Sequence, residues 1–85
     1  MNTIKEKKLR VLSILCENLK NPQPQVVGIR RISDALQLSL KETRQLLLTM
    51  DQAGEIQSEM DGNYSLITPV GLSCLNSSRS QMASY

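Results

Sequence analysis

IRRISDALQLSLKETRQLLLTMDQAGEI, residues 29–56, carries two helical patterns separated by a short turn, and its reading decides the fold. Between Arg30 and Gln37, Ile32, Ala35 and Leu36 fall on one face, enough for two helical turns. Ser39 and Glu42 then stand in the spacing of a capping box, in which the serine hydroxyl accepts a backbone amide while the glutamate reaches back. A new helix is therefore expected from Leu40. It should close at Gly54, because glycine takes the left-handed conformation that ends a helix without a steric cost.

Inside that second helix, Leu46, Leu47 and Leu48 are adjacent, and a helix cannot point three neighbours in one direction. At about 100° per residue, Thr43, Leu47 and Met50 cluster within about 60° of arc and define the buried side. Leu46 lies roughly 65° from the middle of that cluster, a boundary position that can pack against the first helix or the hairpin. Leu48 lies roughly 130° away, on the outward face with Lys41, Gln45 and Gln52. A lone exposed leucine is common on protein surfaces. A thymine methyl or an apolar partner surface are the two functional alternatives.

Working outward, Thr3 and Glu6 fit another capping box. Apolar residues at 4, 11, 12, 15, 16 and 19, with the Lys8 stem, make a helical stripe from Ile4 to Leu19. Asn21-Pro22-Gln23-Pro24 stops that helix, and Val26 to Ile29 reads as a brief strand or an extended lead into the next one. Beyond Gly54, IQSEM and YSLI are strand-like and flank Asp61-Gly62-Asn63, a hairpin turn signal. Thr68-Pro69 reads as a cap with proline in the first turn of a short helix through Leu75. The polar NSSRSQMASY is expected to be disordered, so the single domain covers 1–76 and the tail 77–85.

Eighty-five residues suit one small core, and with Tyr64 and Tyr85 as the only aromatics that core must be built from Leu, Ile and Val. No apolar run is long enough for a membrane span, and MNTIKEKKLR lacks the apolar block of a secretory signal, so a cytoplasmic protein is expected. Cys16 and Cys74 are widely separated and the chain has no histidine, so neither a zinc site nor any other metal or cofactor site is expected. An enzyme is disfavoured: there is no Gly-rich phosphate loop, no paired-carboxylate motif and no nucleophile beside a base. The net charge of +2 is unevenly spread, with five basic and two acidic residues in 1–20 and three acids but no base in 55–68.

Helix, short strand, helix, tight turn, helix and hairpin is the order of a winged helix-turn-helix domain, and the residues themselves resemble bacterial regulators of the MarR-like kind. Residues 29–56 resemble that family's pattern of a short helix ending in Leu, a polar Ser, a helix with three apolar anchors, then Ala-Gly and an apolar strand. LITPVGLSCL, residues 66–75, resembles its Leu-x-Thr-Pro-x-Gly run. The resemblance spans about residues 4–75. Gln37 departs from it, standing where glycine is frequent at the helix–helix turn.

The resemblance implies a mainly α fold with a small β-hairpin: a three-helix core plus wing, and a short C-terminal helix. It also implies a small transcriptional regulator whose third helix enters the major groove of double-stranded DNA. The expected contacts are Arg30, Arg31, Ser39, Lys41, Arg44, Gln45, Leu48 and Thr49, the basic ones toward phosphates. EIQSEMDGNYSLI, in the place of the wing, is acidic and without a cation, which weakens attraction to phosphate. The alternative is therefore a winged-helix protein–protein interaction module, with little or no DNA affinity, using Leu48 and the acidic hairpin. A homodimer or another protein partner is open under either function.

Overall fold

The computed structural model describes residues 4–20, 26–59 and 62–83, with side chains as far as Ser77 in the last helix. Its elements are α1 (Ile4–Asn18), β1 (Val27–Gly28), α2 (Ile29–Leu36), α3 (Leu40–Gln52), β2 (Ile56–Glu59), β3 (Tyr64–Ile67) and α4 (Pro69–Ala83). The protein is mainly helical with a small three-stranded antiparallel sheet in the order β1-β3-β2. Thr3 of the first expected capping box, the Pro22–Pro24 stop and Asp61 of the hairpin turn lie outside the described residues.

Both helices of the 29–56 stretch end in the same backbone motif. After α2, the Gln37 amide donates to the Asp34 carbonyl and the Leu38 amide to the Ser33 carbonyl. After α3, the Gly54 amide donates to Asp51 and the Glu55 amide to Met50. These are Schellman closures, which satisfy the carbonyls a helix leaves unpaired at its end and require a left-handed residue at the turn. Gly54 takes φ +79 without steric cost, whereas Gln37 takes φ +57 and ψ +43 with a side chain. Leu38, following Gln37, packs partly buried against the core and holds the turn in place.

The hairpin is wider than a two-stranded unit. Val27 and Gly28 pair with Ser65 and Tyr64, so the short strand before α2 adds a third strand beside β3. On the other side Ile56 faces Ile67 and Ser58 faces Ser65. Alternation puts Ile56, Ser65 and Ile67 inward and Gln57, Glu59 and Tyr64 outward. β2 is an edge strand, and the Asp51 carboxylate of α3 accepts from the Ser58 amide at 3.2 Å, occupying one of its donors.

The core collects Val11, Leu12 and Leu15 of α1, Val27, then Ile29, Ile32 and Leu36 of α2, Leu47 and Met50 of α3, and Ile56, Ile67 and Leu75. Thr43 is also fully buried, its hydroxyl satisfied by the Ser39 carbonyl one turn back at 2.8 Å. Ile4, placed in the α1 stripe by its spacing, is 66% exposed at the start of the helix, where it lines an open hollow with Leu38 and Leu46. Cys16 and Cys74 are unbonded to one another and partly buried against the core. Among the described residues no helix is long and apolar enough to cross a membrane.

α4 begins where Thr68 and Pro69 place it, with the Gly71 amide donating to the Thr68 hydroxyl at 3.2 Å. The same hydroxyl donates to the Gly54 carbonyl, and the Thr68 amide donates to the Glu55 carbonyl, so the helix start is tied to the corner between α3 and β2. α4 then runs to Ala83, eight residues beyond the expected end at Leu75, and takes in most of the 77–85 segment expected to be disordered. Residues 76–83 contain no glycine or proline, and extending a formed helix costs little per residue compared with starting one.

Gly71 shows why α4 fits. A Cβ there would overlap the Glu55 carbonyl oxygen and crowd Ile67 and Leu12, at 2.9 and 3.1 Å. Gly71→Ala is expected to force α4 away from the α3–β2 corner and to destabilise the protein by about 1–3 kcal/mol, measured as a lower midpoint in urea unfolding.

Candidate functional site

The capping box that opens α3 is complete. Ser39 Oγ accepts from the Glu42 amide at 3.1 Å, and Glu42 Oε1 accepts from the Ser39 amide at 3.3 Å and the Ser39 hydroxyl at 3.0 Å. The Ser39 hydroxyl is thus both donor and acceptor within the chain. An anion approaching the α3 N-terminus meets the Glu42 carboxylate beside the backbone amides.

The three adjacent leucines separate as helical geometry requires. Leu47 is 1% exposed and in the core; Leu46 is partly buried, lining a hollow with Ile4, Lys7 and Lys8 of α1; Leu48 is 55% exposed. Thr43, Leu47 and Met50 hold one side of α3 in the core, and Lys41, Glu42, Arg44, Gln45, Leu48, Thr49 and Gln52 are all exposed. Among the described residues, neither the hairpin nor α4 buries that outward side.

Its residues divide into two flanks. Lys41, Arg44, Gln45 and Leu48 line one open hollow, and Arg44 and Leu48 continue into a second with Asp51, Ser58 and Gly62 at the hairpin. Gln45 and Thr49 also line the α1 hollow with Leu38 and Glu42. The Thr49 hydroxyl donates to the Gln45 carbonyl at 3.1 Å. Lys41, Arg44, Gln45 and Leu48 are therefore brought together, while Thr49 turns toward α1. Arg30 and Arg31 are exposed on the first turn of α2, outside all these hollows.

Two side-chain bonds that join the site to its surroundings lie beyond any spacing rule. Arg44 Nη2 donates to Asn63 Oδ1 at 2.9 Å, linking α3 to the turn before β3. Arg10 Nη2 donates to the Ala35 carbonyl at 3.0 Å, satisfying a carbonyl in the last turn of α2 from α1. The partners are 19 and 25 residues apart in the chain, so periodicity within one helix carries no trace of either.

Electrostatically, the exposed α3 face presents Lys41 and Arg44 with Glu42 at its leading end. The neighbouring strand β2 presents Gln57 and Glu59, bonded to each other at 3.4 Å. A cationic, partly apolar helix face thus stands beside an acidic sheet edge. No family model matches the chain, and neither curated proteins nor solved structures yielded a match.

Gln37 sets the angle at which α3 leaves α2, and it does so in a strained backbone conformation. The left-handed region costs a side-chain-bearing residue about 1–2 kcal/mol, and glycine's extra freedom in the unfolded chain returns about 0.5–1 kcal/mol of that. Gln37→Gly is accordingly expected to stabilise the protein by about 0.5–1 kcal/mol, visible as a raised thermal midpoint, with an unchanged far-ultraviolet circular dichroism spectrum.

Proposed function

We propose that this chain is a winged helix-turn-helix domain that binds double-stranded DNA, with α3 in the major groove, and serves as a small transcriptional regulator. One observation carries it: α3 is anchored by Thr43, Leu47 and Met50 while Lys41, Arg44, Gln45 and Leu48 stand together on an uncovered face. The element order and the β1-β3-β2 sheet support the same assignment, since β2 packs beside α3 where a wing belongs. Lys41 and Arg44 then meet phosphates, Gln45 is placed for a base edge and Leu48 for a thymine methyl. Arg30 and Arg31 meet the backbone flanking the groove.

A second function is favoured by the outward carboxylate of Glu59 on a strand without cations and by the 55% exposed Leu48. In that case the hairpin and α3 form a docking face for a protein whose surface is basic with an apolar patch. The two functions differ in what salt does to duplex binding.

DNA binding is tested by titrating a labelled random-sequence duplex across a salt series. The wild-type protein is expected to bind with strong salt dependence, and the Arg30, Arg31, Lys41 and Arg44 alanine variant to lose about 3–4 units of the slope of log K against log salt. An unchanged slope in that variant rules out these contacts, and absence of wild-type binding at low salt favours the docking face. Leu48→Asp, at an exposed position, is expected to leave the thermal midpoint unchanged and to weaken duplex binding at least tenfold through loss of an apolar contact and repulsion from phosphate.

A further inference from the structure

The acidic hairpin raises a question of its own: without a lysine or arginine, by what means does it take part in binding? Asn63 supplies an answer. Its carbonyl oxygen accepts from the Ile29 amide, the first of α2, at 2.9 Å, while its side-chain oxygen accepts from Arg44 Nη2 at 2.9 Å. Its own backbone is held between β3 and the start of α2. The preceding Gly62, at φ +86, lines the same hollow as Arg44, and a Cβ added there would come within 3.6 Å of Arg44 Cγ and 3.9 Å of Nε. Arg44 is therefore held at its head by Asn63, and bare backbone at Gly62 leaves room for its stem.

On the DNA-binding reading above, we propose that Asn63 is a positioning residue for Arg44, so that the hairpin acts on the nucleic acid by orienting a cation of α3 rather than by carrying one. An arginine side chain free in solvent loses rotamer freedom when it docks on phosphate, and a side chain already held loses less. Asn63 takes one of the five guanidinium N–H donors and leaves the rest for phosphate oxygens. Because guanidinium has donors only, it is the amide oxygen of Asn63 that meets it, and the amide NH2 is not used in that bond. A neutral amide fits this task where a carboxylate does not, since an aspartate there pairs with Arg44 and cancels the charge phosphate requires.

The test is a salt-series titration of a short random-sequence duplex with wild type, Asn63→Ala, Asn63→Asp, Arg44→Ala and the doubles Arg44→Ala/Asn63→Ala and Arg44→Ala/Asn63→Asp, with thermal unfolding followed in parallel. Asn63→Ala is expected to weaken binding roughly 2- to 10-fold in the wild-type background and not at all in the Arg44→Ala background. Asn63→Asp is expected to lower the log–log salt slope by about 0.9, the same amount as Arg44→Ala. A purely structural asparagine gives an Asn63→Ala loss that is the same in both backgrounds, and an Asn63→Asp slope change that is the same with and without Arg44. Aspartate suits the same turn positions as asparagine, so Asn63→Asp, compared in the wild-type and Arg44→Ala backgrounds, decides the matter should the alanine variant unfold: a slope change that needs Arg44 supports the positioning role, and one independent of Arg44 overturns it. Additive losses for Asn63→Ala and Arg44→Ala, or an unaltered slope in Asn63→Asp, overturn the positioning role and leave DNA binding standing. Absence of binding by the wild-type protein overturns both.

Discussion

A short helix set against a small core has a choice of which side to keep dry, and Thr43, Leu47 and Met50 make that choice for α3. All three are essentially removed from solvent, and among the described residues the opposite side stays exposed. The constraint is sharp because of what the buried threonine would otherwise cost. Its hydroxyl is satisfied by the Ser39 carbonyl of the same helix, whereas an unpaired buried hydroxyl costs about 1–3 kcal/mol. The capping box at Ser39 and Glu42 and the burial of Thr43 thus meet on one residue, so the start of the helix and its rotation about its own axis are set together.

The rest of the molecule holds that helix from both ends. Gln37 and Gly54 close the helices before and after the α2–α3 turn with the same hydrogen-bond pattern. At the far end the α3–β2 corner is gripped by Thr68, whose hydroxyl joins Gly54 to the first turn of α4, and by the close approach that only a glycine at 71 allows. What resembles a family pattern in Thr68-Pro69-x-Gly71 therefore has a local cause: cap, pre-set first turn, and bare backbone where two chains touch. The sheet is drawn into the same frame through Asp51 on Ser58 and Asn63 on Ile29.

Charge is distributed on this frame by contrast rather than by excess. The exposed part of α3 offers Lys41 and Arg44, β2 offers Glu59, and the turn between β2 and β3 meets Arg44 through a neutral amide. A surface of modest net charge gains little from long-range attraction at ordinary ionic strength, where the screening length is about 8 Å. Short-range contacts that fix single side chains, such as Arg44 on Asn63, therefore shape this surface more than the total of +2 does.

Much of this was legible from residue order. Periodicity assigned Leu47 to the core, Leu46 to the boundary and Leu48 to solvent; the Ser39–Glu42 spacing identified the start of α3; Gly54 and Thr68-Pro69 marked an end and a beginning. Each is a local effect, decided by side chains within about one helical turn of each other. Ile4 lies at the exposed end of the α1 stripe, beside Leu38 and Leu46, and the last helix, read as ending at Leu75, runs on to Ala83.

Sequence alone therefore determined the helix–turn–helix order of residues 29–56, the Ser39–Glu42 cap, the turn at Gly54 and the buried side of α3, because those follow from spacing and backbone chemistry over a few residues. Only the tertiary structure decided that Val27 and Gly28 join β3 as a third strand, that residue 71 must be bare to admit the Glu55 carbonyl, and that Asn63 meets Arg44. Those facts depend on where the chain returns after a turn, and a contact between residues far apart in order has no periodic signature to read.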